Sequence, residues 1–119
     1  MSDLQTATAD PSVIPSATAA IGLPLALVAD ANAASRARRI RQLEGRGFRV
    51  AVAKTPFEAI VKASCHLPDL ILVAASLGQD GADEAAELLS TCPATAHIPI
   101  VRLRARQRLP VRLGQLVKG

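Results

Sequence analysis

The chain has 119 residues, half of them hydrophobic, with 14 Lys and Arg against 10 Asp and Glu for a formal charge of +4. This length suits one domain and leaves no room for a second. Aromatics make up only 2%, namely Phe48 and Phe57, so the core has to be built from Ala, Val, Leu and Ile and is thin for the length.

The charge is unevenly spread. Residues 102–119 carry six cations (Arg102, Arg104, Arg106, Arg108, Arg112, Lys118) and no acid, which leaves eight cations against ten acids elsewhere. The basic excess is therefore a property of the last segment. It reads either as a solvated tail or as an attractor for an anionic partner. Cys65 and Cys92 are far apart and lack CxxC or paired-His spacing. That argues against a metal site and a disulfide framework, and buried, reduced thiols are expected. Ala19 to Ala29 is apolar, but Asp3 and Asp10 precede it, no Lys or Arg does, and Pro24 interrupts it. A secretory signal needs a basic start, and no run reaches the ~18 apolar residues of a membrane span. The expectation is a cytoplasmic protein without membrane insertion.

Residues 1–22 mix Ser, Thr, Ala, Asp and Pro without a period and read as a disordered leader. Residues 23–119 form the domain, with 102–119 as its basic C-terminal segment. Leu25 to Ala29 is a continuous apolar run that predicts a strand buried on both faces, ending at Asp30. Asn32 is placed to cap a helix to about Arg46, with Ala37, Ile40 and Leu43 inward and Arg36, Arg38, Arg39 and Arg41 mainly on other faces. Gly45 and Gly47 supply its stop.

Phe48 to Val52 predicts a second strand, alternating as at an edge. Thr55-Pro56-Phe57-Glu58 is an N-cap, a first-turn proline and a capping-box acid in sequence. It predicts a helix to about Cys65 with Ala59, Ile60 and Ala63 inward. A third strand spans 70–73 and residues 75–81 read as a loop. A helix then runs to about Thr91 with Asp83, Glu84 and Glu87 near its positive end. Residues 99–103 predict a fourth strand.

Strands alternating with helices imply a doubly wound α/β domain with a parallel sheet and right-handed crossovers. Function in such sheets gathers at the strands' carboxyl ends, here Asp30, Ala74 and Leu103-Arg104.

Over roughly residues 24–103 the chain resembles response-regulator receiver domains. Leu27-Val28-Ala29-Asp30 looks like the first strand and its acidic pair. Pro68 to Val73 resembles the third strand, Asp80-Gly81 the opening of the third helix, and Pro93 to Val101 the lead into the fourth strand. The resemblance implies a flavodoxin-like receiver topology that is C-terminally incomplete, with a short or absent fourth helix and no fifth helix. It also implies a bacterial two-component (phosphorelay) setting.

At the chemical positions the chain departs from that family. Ala74 stands where the phospho-accepting aspartate would be, the acidic pair is reduced to Ala29 and Asp30, and Arg104 replaces the phosphate-sensing hydroxyl. If Leu116-Val117-Lys118 is the lysine-bearing strand, Lys118 is retained and Gln115 stands at the switch aromatic. The resemblance therefore implies a degenerate phospho-site, with no catalytic residue, no bound metal and no cofactor.

The expected role is a phosphorylation-independent interaction module that meets another signalling protein or itself, as a homodimer. Arg36, Arg39, Arg106 and Arg108 are the candidate partner contacts. Arg104 and Asp30 share one sheet edge, so a fixed ion pair between them is one expectation and a solvated arginine the other. Two alternatives stand beside the interaction module: weak nucleic-acid binding through Arg104 to Arg108, and a truncated remnant without a partner. Specific nucleic-acid recognition is not expected, because no stacking aromatic or helix-turn-helix accompanies the charge. An enzyme is not expected either. His66 and His97 are isolated, and Ser76 near Ala74 has no base in sequence reach.

Overall fold

The computed structural model describes residues 22–104 and 108–110. The element order is β1 (Leu25–Ala29), α1 (Ala33–Gly45), β2 (Arg49–Ala53), α2 (Pro56–His66), β3 (Leu70–Ala74), a 3-10 turn (Ala75–Leu77), α3 (Gln79–Thr91) and β4 (Ile100–Leu103). Residues 1–21 of the expected leader, Arg106, Gln115 and Lys118 lie outside the described residues. Among the described residues no further helix follows β4.

The strands form one parallel sheet in the order β2-β1-β3-β4. β1 and β3 are central and buried along their whole length, as continuous apolar runs must be in a sheet covered on both faces. β2 lies at an edge, as its alternation implied.

Strand alternation sends side chains to two cores. Ala26, Val28, Val50, Leu70 and Leu72 face α1 and pack with Leu43 and Phe48. Leu25, Leu27, Ala29, Ala51, Ala53, Ile71 and Val73 face α2 and α3 and pack with Ala59, Ala63, Ala82 and Leu89. A fully buried Leu or Val contributes about 1.5–3 kcal/mol and a methyl group much less, so the alanine-rich second core depends on close approach rather than on bulk. Leu109 is buried with the α1-side group. Arg46 holds the chain there by donating to the carbonyls of Pro110 and, at 3.4 Å, Leu109.

The caps follow the sequence closely. Asn32 Oδ1 accepts from the Ser35 N–H at 2.9 Å. Thr55 Oγ1 accepts from the Glu58 N–H at 3.0 Å, and Glu58 Oε1 reaches back to the Lys54 N–H at 2.6 Å. α2 ends on Leu67 in a left-handed conformation with φ of 48°, a place where glycine is the usual residue.

Three expectations are corrected. α1 turns Arg39 and Leu43 inward, with Ile40 half-buried, whereas Ala37 is exposed. At about 100° per residue, positions 36, 39, 40 and 43 share a face and 37 lies well off it. The segment read as a loop over 75–81 contains a 3-10 turn, and α3 already begins at Gln79, so Asp80 rather than Asp83 opens its first turn. The thiols are free but not buried, since Cys65 is exposed and Cys92 half-buried.

α3 starts early because Gly81 lets it approach α2. A Cβ added at Gly81 would stand 2.9 Å from Pro56 Cγ, and the proline ring cannot rotate away. Gly81→Ala would gain about 1 kcal/mol in helix propensity, but overpacking typically costs about 1–3 kcal/mol. The variant is expected to be less stable than wild type by up to ~2 kcal/mol in urea unfolding, with a positive-going change showing that the helices separate freely.

Candidate functional site

The winding direction of the sheet reverses between β1 and β3, and the carboxyl ends of these neighbours meet. Asp30 follows β1 directly, and its N–H donates to the Ala53 carbonyl of β2 at 2.9 Å. Ala74 closes β3 opposite Leu103 of β4. Asp30 is fully buried, and Ala29 and Ala74 beside it are at 0% and 2% exposure.

Four donors converge on the Asp30 carboxylate. Oδ1 accepts from the Asn32 N–H at 2.9 Å and from Ser76 Oγ at 2.6 Å. Oδ2 accepts from Ser35 Oγ at 2.5 Å and from Arg39 Nη1 at 2.9 Å. Ser76 Oγ in turn accepts from the Ala31 N–H at 2.9 Å. Arg39 reaches further, donating from Nη2 to the Arg104 carbonyl at 2.9 Å, and Arg36 donates to the Asp30 carbonyl at 2.9 Å. The ends of β1 and β4 and the inner face of α1 are thereby joined through one arginine, and Ser76 ties in the end of β3 through Asp30.

Burial alone would raise the Asp30 pKa. The hydroxyls of Ser35 and Ser76, the Asn32 N–H and the Arg39 charge outweigh it and hold the carboxyl below its usual value. The group is an ionised carboxylate at neutral pH.

A receiver resemblance implies a divalent cation at this edge, and the residues present do not fit one. Such a cation needs several oxygen ligands. Ala29 and Ala74 offer methyl groups. A carboxylate has about four lone-pair sites, and those of Asp30 already serve four donors, one of them a cation. Among the described residues no cluster of three His, Cys, Asp or Glu side chains forms elsewhere.

The candidate residues are thus redistributed. Arg39, expected on a partner surface, is 2% exposed and belongs to the site. The anticipated ion pair of Asp30 is made by Arg39 rather than Arg104, which enters through its main-chain carbonyl. Ser76, read as lacking a base, has the Asp30 carboxylate at its hydroxyl. Arg36 is half-buried and turned to the Asp30 carbonyl, and Arg108 is exposed. Most of the proposed nucleic-acid segment, residues 105–107, lies outside the described residues. Ser35 was missed by sequence reasoning. Its position three residues after the Asn32 cap, in the first turn above a strand-end aspartate, is the signal that could have found it.

Arg39→Ala leaves a buried carboxylate without its cation, and a loss of about 3–5 kcal/mol is expected. The double variant Asp30→Asn/Arg39→Ala removes both charges, and its loss is expected to fall short of the summed losses of Asp30→Asn and Arg39→Ala by at least ~1 kcal/mol. Additive losses in denaturant unfolding would show that the pair is not coupled.

The pH dependence follows from the lowered pKa. The contribution of Asp30 is fully present above the unfolded-state value of 3.8. It is lost as pH falls through the folded-state value below that. The stability gap between wild type and Asp30→Asn is therefore expected to be constant near neutrality and to close in acid. A gap that widened in acid would contradict the ionised state.

No family model and no curated protein matches the chain. Among solved structures, the chain is similar to the N-terminal domain of a response regulator receiver protein from Methanoculleus marisnigri JR1. The two are 26% identical with a TM-score of 0.66, over 82% of this chain and 81% of that one. It is also similar in fold to a fusion protein bearing amino acids 181–211 of the yeast Spc42 trimeric coiled coil, with a TM-score of 0.54 and 22% identity over 78% of this chain and 58% of that one. The architecture is accordingly the flavodoxin-like receiver fold, four parallel strands with three helices among the described residues.

Proposed function

We propose that this protein is an atypical receiver of two-component (phosphorelay) signalling that works without phosphotransfer, as a cytoplasmic protein-interaction module and not as an enzyme. The observation that carries the reading is the closed state of the strand-end site: a methyl group at Ala74 and a carboxylate at Asp30 whose acceptor capacity is fully used.

Phosphotransfer to a receiver-type edge needs a nucleophilic oxygen at the end of β3 and a cation to neutralise the incoming phosphoryl group. Ala74 supplies no oxygen, and Arg39 is already committed to Asp30 and the Arg104 carbonyl. Asp30 is also a weak general base, because a depressed pKa lowers its proton affinity. It orients the Ser76 hydroxyl more readily than it activates it. What is left to signal with is the outer surface. Among the described residues no helix is long and apolar enough to cross a membrane.

Incubation of the full chain with acetyl phosphate and Mg²⁺ is expected to add no phosphoryl group by intact-mass measurement. The amide resonances of Asp30, Ala74 and Ser76 are expected to stay in place as Mg²⁺ is added. A covalent phosphoryl adduct, or Mg²⁺-dependent shifts confined to those residues, would overturn the reading.

A further inference from the structure

The two faces of the sheet carry opposite charge. Residues 33–46 hold five arginines and one glutamate, whereas residues 79–91 hold two aspartates, two glutamates and no cation. α1 packs on one side of the sheet with Leu43, and α3 on the other with Ala82 and Leu89. The poles therefore point in opposite directions on one small domain.

Helical spacing concentrates each pole into a stripe. On α1, Ala34, Ala37, Arg38 and Arg41 are all exposed and fall at i, i+3, i+4 and i+7, which is one helix face. The two alanines leave the face flat, and the two guanidinium groups stand beside them. On α3, Asp80, Glu84, Glu87 and Leu88 are exposed and fall at i, i+4, i+7 and i+8. Leu88 is a large apolar side chain at 46% exposure next to the acids. Among the described residues no ion pair engages Arg38, Arg41, Asp80, Glu84 or Glu87. Asp83, at i+3 from Asp80 and i−4 from Glu87, lies on the edge of this face and is paired with Arg102 of β4.

We infer that the α1 stripe of one copy docks on the α3 stripe of a second copy. The fit is chemical: two arginines face three carboxylates, and a flat alanine surface receives Leu88. This deepens the interaction-module reading by naming the partner as the chain itself. Because the two surfaces differ, the contact is heterologous. It leaves an unused stripe at each end, so it propagates into a chain or closes into a ring rather than stopping at a two-fold dimer. Charge supplies the orientation, and the association is correspondingly salt-sensitive.

Sedimentation velocity on the full chain tests this. At about 20 mM salt, where the Debye length exceeds ~20 Å, the weight-average mass is expected to rise with protein concentration past that of a dimer. At about 500 mM salt it is expected to fall back toward the monomer. Arg38→Glu/Arg41→Glu and, separately, Glu84→Lys/Glu87→Lys are each expected to weaken association by about tenfold or more. An equimolar mixture of the two variants is expected to co-assemble, since each reversed face then meets its complement.

All four positions are exposed, so circular dichroism is expected to show both variants folded. A monomer at every concentration in low salt would overturn the inference. So would a mass that stops at the dimer, or a mixture that fails to recover association. The phosphodonor and Mg²⁺ measurements above are independent of these results, so failure of self-association and failure of the phosphorylation-independent reading are told apart.

Discussion

A guanidinium held 2.9 Å from a fully buried carboxylate is the constraint on which the upper edge of this fold depends. An ionised aspartate inside a protein is tolerable only when cation and hydrogen bonds replace its lost water. Asp30 satisfies that condition by drawing in Arg39 from α1, Ser35 from the same helix, Ser76 from beyond β3 and the Asn32 N–H. The demand fixes the rotation of α1, because the turn that carries Arg39 has to face the sheet. It also fixes the exit of β4, because the second Arg39 nitrogen holds the Arg104 carbonyl. In a receiver edge that accepts phosphate, a metal would be mobile and exchangeable. The Asp30 carboxylate is instead balanced by a side chain anchored on α1.

How much of this could be read in advance depended on whether a residue's role was local. β1 and β3 were legible because unbroken apolar runs have one economical place in a parallel sheet. α2 was legible because Thr55, Pro56 and Glu58 act on backbone groups within one turn. The inner face of α1 was misread because an arginine was assigned to solvent by its type. Spacing alone, with positions 36, 39, 40 and 43 in register, would have placed Arg39 inward. The early start of α3 was hidden for another reason. The closeness of Gly81 to Pro56 is a tertiary fact across 25 residues of chain, and a glycine-rich segment without a clear cap reads locally as a loop. Ser76 was visible as a residue, but its partner lies 46 positions away.

The same economy shapes the outside. A core made mostly of alanine and branched aliphatics lets α2 and α3 lie close to the sheet and leaves few large side chains to spread over the surface. What α1 and α3 present outward is dominated by charge of opposite sign, whereas α2 presents Phe57 and Val61. The inner faces answer to packing and to Asp30, while the outer faces carry no comparable obligation and are free to specify contacts. The groups that hold the fold together are thus gathered on the inner helix faces.

The saturated carboxylate at Asp30 also bears on how this arrangement can change. An oxygen ligand at Ala29 or Ala74 would enter a position with almost no access to water. Releasing Arg39 first would strand Asp30. Only a change that removes Arg39 leaves an uncompensated buried charge at Asp30. That burden amounts to several kcal/mol, against a total stability of about 5–15 kcal/mol for a typical domain. Any rearrangement of this edge is therefore tied to the rotation of α1, because Arg39 has to keep its carboxylate as it moves.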